Sequence, residues 1–156
     1  RESSSAMKKK GGGVLMDLSH ELDYIQWLTG PISVKYVVNE KVSDLEIDTD
    51  DLLFFSGQSG DGTFLHVCLN YFTRPPVRQI LMDGESISIR ADLIENNLIV
   101  VDGNETLNFS WPELERNETY RLQHEAILDE NLSYLSTYEE GLAIMHLIDG
   151  IRSLNI

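Results

Sequence analysis

The stretch Gly11-Gly12-Gly13-Val14-Leu15-Met16-Asp17-Leu18-Ser19-His20-Glu21-Leu22-Asp23-Tyr24-Ile25-Gln26-Trp27-Leu28-Thr29-Gly30 holds the residue types best suited to chemistry. A helix beginning near Val14 puts Asp17 and His20 three residues apart, on one face about one turn from its N-terminus. A carboxylate beside an imidazole favours the protonated ring and fixes its tautomer. That suits a general acid/base moving a proton on or off a hydroxyl. Glu21 and Asp23 add negative charge nearby. The same pattern also fits a helix start decorated with acids and carrying a solvent-facing histidine. The three glycines have no Cβ atoms, so the backbone there can approach a ligand or another chain segment closely.

Other candidates carry less. Arg74 and Arg78 offer bidentate hydrogen bonds to a carboxylate or phosphate, or else balance local acids. His66 and Cys68 alternate on one strand face without two further ligands, a pattern of packed sheet residues, and no metal is expected. Ser19 adjoins His20, but neighbours on a helix point apart, so a serine nucleophile is not expected. Asp44, Glu46, Asp48, Asp50 and Asp51 lack the spacing and glycine of a calcium loop and are expected to form a solvated loop. Gly57, Gly60 and Gly62 run GxxGxG, which is not the GxGxxG that seats a pyrophosphate between a strand and a helix. Asn104, Asn108, Asn117 and Asn131 each begin an Asn-x-Ser/Thr sequon, which composition explains.

The elements that must position these residues follow from periodicity. Leu15, Leu18, Leu22 and Ile25 recur at helical spacing, and Gly30-Pro31 ends the segment, which predicts a helix over 14–29. From Ile32 the period becomes two: Val34, Tyr36 and Val38 share one face, and Leu65, Val67, Leu69 and Tyr71 share another. Val77 to Met82, the Asp83-Gly84 turn and Ile87 to Leu93 form a hairpin, followed by shorter strands at 98–101 and 106–111. Helical spacing returns over 118–131 and around Ile144, Leu147, Ile148 and Ile151. His124 and His146 fall within these helices, at the surface or the edge of the core. Strands followed by helices predict an α+β fold, a largely antiparallel open-faced sheet with helices packed on one face. Apolar residues on both parities of 64–72 predict that the other face meets a second subunit or domain.

The chain has 156 residues, 42% hydrophobic and 24% charged, the profile of one globular domain. No apolar run approaches the roughly 18 to 20 residues that cross a bilayer, and no secretory signal is expected. Twelve basic against 26 acidic residues give a net charge of −14, which opposes binding to nucleic acid or anionic lipid. One cysteine, Cys68, cannot form an internal disulfide and fits a reducing compartment, so the cytoplasm is expected. The opening residues 1–10 begin without Met and lack apolar periodicity; they suit the cut end of a longer polypeptide or a tag remnant, and the abrupt start favours the first.

The 11–30 stretch, GGG followed by an apolar pair, Asp, His-x-x-Asp and Trp-Leu-x-Gly, resembles the start of the substrate domain in the Gfo/Idh/MocA family of oxidoreductases. Leu69-Asn70-Tyr71-Phe72-Thr73-Arg74-Pro75-Pro76-Val77-Arg78 is similar to a segment of a nucleotide-sugar-like branch, and Asn117-Glu118-Thr119-Tyr120 and Glu139-Glu140-Gly141 continue the likeness. The resemblance implies that residues 1–156 are a C-terminal substrate and oligomerisation domain. A Rossmann domain for NAD or NADP would lie outside this chain, and a homodimer or homotetramer would form through the open sheet. It implies His20 as acid/base, Asp17 as hydroxyl ligand and electrostatic partner, and Arg74, Arg78 and Tyr71 as contacts to a sugar, nucleotide-sugar or cyclitol substrate. Gly12 and Gly13 would lie against the cofactor. Many members separate the Asp and His by four positions rather than three. The family's Glu-Lys-Pro lysine has no counterpart, since neither Lys35 nor Lys41 precedes Pro. The chain alone is therefore expected to be inactive. The alternative is a non-catalytic dimerising module of the same fold.

Overall fold

The computed structural model describes residues 3–131, 133 and 135–154; Arg1 and Glu2 of the opening, and Leu132 of the last sequon, lie outside them. The chain forms two compact units, Arg1–Phe72 with Ser136–Ile156, and Thr73–Leu135. Both sheets are antiparallel and the class is α+β, as the strand-then-helix order predicts. The strands divide into sheets of three and four rather than forming one.

In the first unit, two short 3-10 turns, Ser4–Ala6 and Lys8–Lys10, lead into α1 (Val14–Asp17) and α2 (Ser19–Thr29). The predicted 14–29 helix is thus broken at Leu18, whose φ of −101° and ψ of 23° leave the helical region. Gly30, at φ 78°, ends α2 while its N–H donates to the Gln26 carbonyl at 2.8 Å, and Pro31 follows. Strands β1 (Ile32–Glu40), β2 (Leu52–Ser59) and β3 (Phe64–Asn70) then run antiparallel in the order β1-β2-β3. The unit is completed by α4 (Tyr138–Leu154), which packs on α2 and β1. Thr137 and Glu140 form a capping box at its start, Glu140 N–H donating to Thr137 Oγ1 at 3.2 Å and Thr137 N–H to Glu140 Oε2 at 2.6 Å. The core joins Val14, Leu15 and Leu22 to Leu53, Phe55 and Val67 of the sheet and to Ile144, Leu147, Ile148 and Ile151 of α4.

Strand β2 has no counterpart in the sequence reading. It is the central strand, and its buried positions alternate through Leu53, Phe55, Gly57 and Ser59. Two of these four are small and carry no apolar signal. The grouping of Val34 with Tyr36 and Val38 on one face is overturned by a β-bulge between Val34 and Tyr36. The bulge inserts Lys35, so Ile32, Val34 and Val37 serve the core while Tyr36 turns outward. Gly57 sits opposite Val34, and a Cβ there would meet the Ser33 carbonyl oxygen at 2.7 Å. On the outward face Tyr36 and Phe54 meet edge-on with ring centroids 6.2 Å apart, and Phe64, His66 and Cys68 are exposed.

The acidic run is not wholly a solvated loop. Asp51 is fully buried and accepts the N–H groups of Val42 at 2.8 Å and Ser43 at 3.1 Å, the Ser43 hydroxyl, and Lys41 Nζ at 3.4 Å. Burial pushes its carboxyl up, but the hydrogen bonds from Ser43, Val42 and Lys41 outweigh that and hold it below the usual range. Asp48 Oδ1 accepts the Lys8 N–H at 2.6 Å, Thr49 Oγ1 donates to the Ser5 carbonyl at 3.2 Å, and Asp50 Oδ2 accepts the Leu15 N–H at 3.0 Å. The run thus clamps residues 5–15 to the end of β2. Asp44 and Glu46 are exposed, as expected.

In the second unit β4 (Gln79–Asp83), β5 (Ile87–Asp92), β6 (Asn97–Asp102) and β7 (Glu105–Ser110) form a meander, followed by α3 (Arg116–Leu128). The β6–β7 turn uses Gly103 at φ 55°. Register aligns Ile80, Ala91, Leu98 and Phe109 in one row and Met82, Ile89, Val100 and Leu107 in the next on the same face. That face is apolar and none of its residues is fully buried. Helix α3 ends earlier than 131, because Glu130 takes a positive φ of 54°.

Candidate functional site

The glycine-rich entrance, α1 and the start of α2 gather the polar side chains singled out by the motif. Gly13, at φ 113°, lets the chain turn into α1, and a Cβ on it would lie 2.0 Å from Asp50 Oδ1. A Cβ on Gly12 would lie 2.3 Å from the Ser4 carbonyl oxygen. Of the two uses open to these glycines, close approach to another chain segment is therefore the one realised. A dinucleotide meets no open cradle there, so the residues present do not fit the pyrophosphate of a nicotinamide cofactor. Gly57 lies in β2, and Gly60 and Gly62 flank the β2–β3 turn. There Ser59 donates to Asp61 and Thr63 N–H reaches Asp61 Oδ1 at 3.1 Å. The Ser59 hydroxyl and the Thr63 N–H hold the Asp61 carboxyl below its usual range.

Asp17 is exposed at the end of α1 and accepts two hydroxyls, Ser5 Oγ on Oδ1 at 2.9 Å and Tyr71 OH on Oδ2 at 3.1 Å. Burial, then the Asp17 charge and hydrogen bond, with a contribution from Asp50, raise the Tyr71 phenol well above its ordinary value. Tyr71 therefore stays a neutral donor across the physiological range. His20 opens α2 with its side chain 57% exposed, and its Nε2 lies 3.0 Å from Oε1 of Glu21, a residue only 5% exposed. The Glu21 Oε2 accepts the Tyr24 hydroxyl. The structure thus brings Tyr71 to Asp17, as two expected site residues, and gives His20 a carboxylate partner one residue away. The break at Leu18 separates Asp17 from the helix that carries His20. Spacing alone did not mark Ser5, Glu21 or Tyr24 as site residues. For Glu21 the available signal was an acid inside the apolar half of α2, next to Leu22.

Arg74 and Arg78 belong to the second unit, in the exposed segment before β4, where Arg74 Nη1 donates to the Thr73 carbonyl at 2.8 Å. His66 and Cys68 are exposed on β3, and His124 Nδ1 lies 2.8 Å from the Tyr120 carbonyl oxygen on α3. Among the described residues no group of three or more His, Cys, Asp or Glu side chains is arranged to hold a metal ion. No helix among them is long and apolar enough to cross a membrane. A cleft of about 390 Å³ lies between α2, β1 and α4, lined by Gln26, Pro31, Ile32, Val34, His146 and Leu147 among others. It includes neither Asp17 nor His20.

Solved structures with this fold include levoglucosan dehydrogenase in complex with NADH and levoglucosan, at 19% identity and a TM-score of 0.80, covering 97% of this chain and 51% of that one. UDP-N-acetylglucosamine 3-dehydrogenase GnnA from Acidithiobacillus ferrooxidans matches at 18% identity and a TM-score of 0.71, covering 91% of this chain and 47% of that one. The WlbA dehydrogenase from Bordetella pertussis, in complex with NADH and UDP-GlcNAcA, matches at 18% identity and 0.64, covering 92% and 45%. The chain spans about half the length of these structures. No curated protein matches it. Residues 3–156 match the model of the oxidoreductase family, C-terminal alpha/beta domain, and the chain accordingly belongs to the Gfo/Idh/MocA oxidoreductases, as their C-terminal α/β domain.

Proposed function

We propose that the chain is the substrate-binding and oligomerisation half of an NAD(P)-dependent oxidoreductase acting on a hydroxyl or keto group of a sugar, nucleotide sugar or cyclitol. The observation that carries this reading is the family match over residues 3–156, with the motif's two candidate side chains, Asp17 and His20, both exposed on α1 and α2. The solved structures named above in complex with NADH and levoglucosan or UDP-GlcNAcA support the substrate and cofactor classes. NAD or NADP is held by a lobe outside this chain, since the glycines here offer no pyrophosphate cradle. The chain by itself is inactive, and the single Cys68 suits a cytoplasmic setting.

Within this reading His20 moves the proton of the reacting hydroxyl, and Asp17 binds a substrate hydroxyl through a carboxylate already oriented by Ser5 and Tyr71. Tyr71 takes part as the donor that holds Asp17. Arg74 and Arg78 supply charge for a substrate carboxylate or phosphate. In the complete enzyme H20A lowers turnover by roughly 10² or more. Turnover equal to the wild type in that variant would favour the second reading, a non-catalytic module that dimerises through its uncovered apolar sheet face.

A further inference from the structure

We propose that Glu21 is the positioning residue for His20, held in turn by Tyr24, and that the imidazole consequently exchanges its proton through Nδ1. The inference rests on the assignment of His20 as acid/base and names the group that orients it. Glu21 is a buried carboxylate, and such a group is costly unless its oxygens are hydrogen-bonded. Here one oxygen faces His20 Nε2 at 3.0 Å and the other accepts the Tyr24 hydroxyl, one turn further along α2. Adjacent side chains on a regular helix diverge by roughly 100°, so the contact between His20 and Glu21 belongs to the opening turn of α2, directly after the break at Leu18. Leu22, fully buried beside Glu21, and Ile25, packed on the same core, fix the rotation of α2.

A ring that gives its Nε2 hydrogen to a carboxylate keeps its lone pair on Nδ1 in the neutral form. His20 is then held by one nitrogen from the protein side, while the other is free to meet a hydroxyl. The two acids of the motif divide the work. Asp17 is engaged by the hydroxyls of Ser5 and Tyr71, and Glu21 by the imidazole and the phenol of Tyr24.

The test is ¹⁵N-histidine NMR of this chain in mildly alkaline buffer, with His20 assigned by its loss in H20A. The expected result is a single dominant tautomer with the hydrogen on Nε2 and a slowly exchanging Nε2–H. E21A should abolish that signal, E21Q, which keeps an acceptor oxygen, should retain it, and Y24F should speed its exchange. A wild-type His20 with its hydrogen on Nδ1, or an Nε2–H signal indifferent to E21A, overturns the proposal. If E21A does not fold, the wild-type tautomer together with Y24F decides in the same way. In the complete enzyme E21A lowers kcat roughly tenfold to a hundredfold with KM little changed, and E21Q restores part of the loss. Because the NMR readout needs no turnover, it stands even where H20A shows that the acid/base reading has failed.

Discussion

Tyr71 and Asp17 show how a contact between residues far apart in sequence sets the chemistry of both. The phenol is partly buried and gives its hydrogen to a carboxylate, so ionising it would place two negative charges side by side. Absorbance titration near 295 nm should show ionisation extending above the ordinary tyrosine range, and Y71F should remove part of that late portion. A phenol raised in the folded state contributes stability that is complete below about pH 10 and is lost above it. A titration from which Y71F removes only an ordinary tyrosine would refute the contact. The candidacy of Asp17, His20 and Tyr71 was legible in the sequence, from residue type and family resemblance. Their pairing was not, because spacing on an unbroken helix joins Asp17 to His20, whereas the break at Leu18 and the reach of β3 give each its own partner.

Among the elements, the loop between β1 and β2 depends most on one side chain. Asp51 answers backbone donors from Val42 and Ser43 that would otherwise lie unpaired beside the core. Its carboxyl is held below the usual range, so its contribution is present above the unfolded value of about 3.9 and is lost as pH falls through the lower folded value. Denaturant melts of D51N should show about 1–3 kcal/mol of lost stability at neutral pH. They should also show a shallower decline below pH about 4 than in the wild type. An unchanged midpoint at neutral pH would mean that the loop is organised by other contacts. Helices and most strands were legible because their apolar periods are regular and their ends carry Gly30-Pro31, Asp83-Gly84 and Asp102-Gly103. Strand β2 was not, since a central strand needs small residues such as Gly57 where the β1 bulge passes over it.

At the scale of the molecule, the fold class was legible and its division was not. Alternation marks a strand but not the sheet it joins, and the two sheets became distinct only through register. The apolar face of the second unit, with Met82, Ile89, Val100 and Leu107 in one row, carries no charge in its central rows on a chain of net charge −14. Two copies meeting there avoid the repulsion that opposes contact elsewhere. Sedimentation of the chain should therefore show a dimer or larger, and L107D should shift it to monomer with its circular dichroism intact. A wild-type monomer at all concentrations would remove the oligomerisation role.

The first unit is assembled from residues up to Phe72 and from Ser136 onward, with Ile144, Leu147, Ile148 and Ile151 closing a core that starts at Val14. During synthesis, the greasy underside of β1, β2 and β3 is only partly covered, by α1 and α2, until α4 has left the ribosome. The nascent chain is then most exposed to aggregation and most in need of a chaperone. The same arrangement makes α4 the keystone of a unit that begins before β1. Truncations that remove α4 should therefore be as damaging to this unit as losing its first strands.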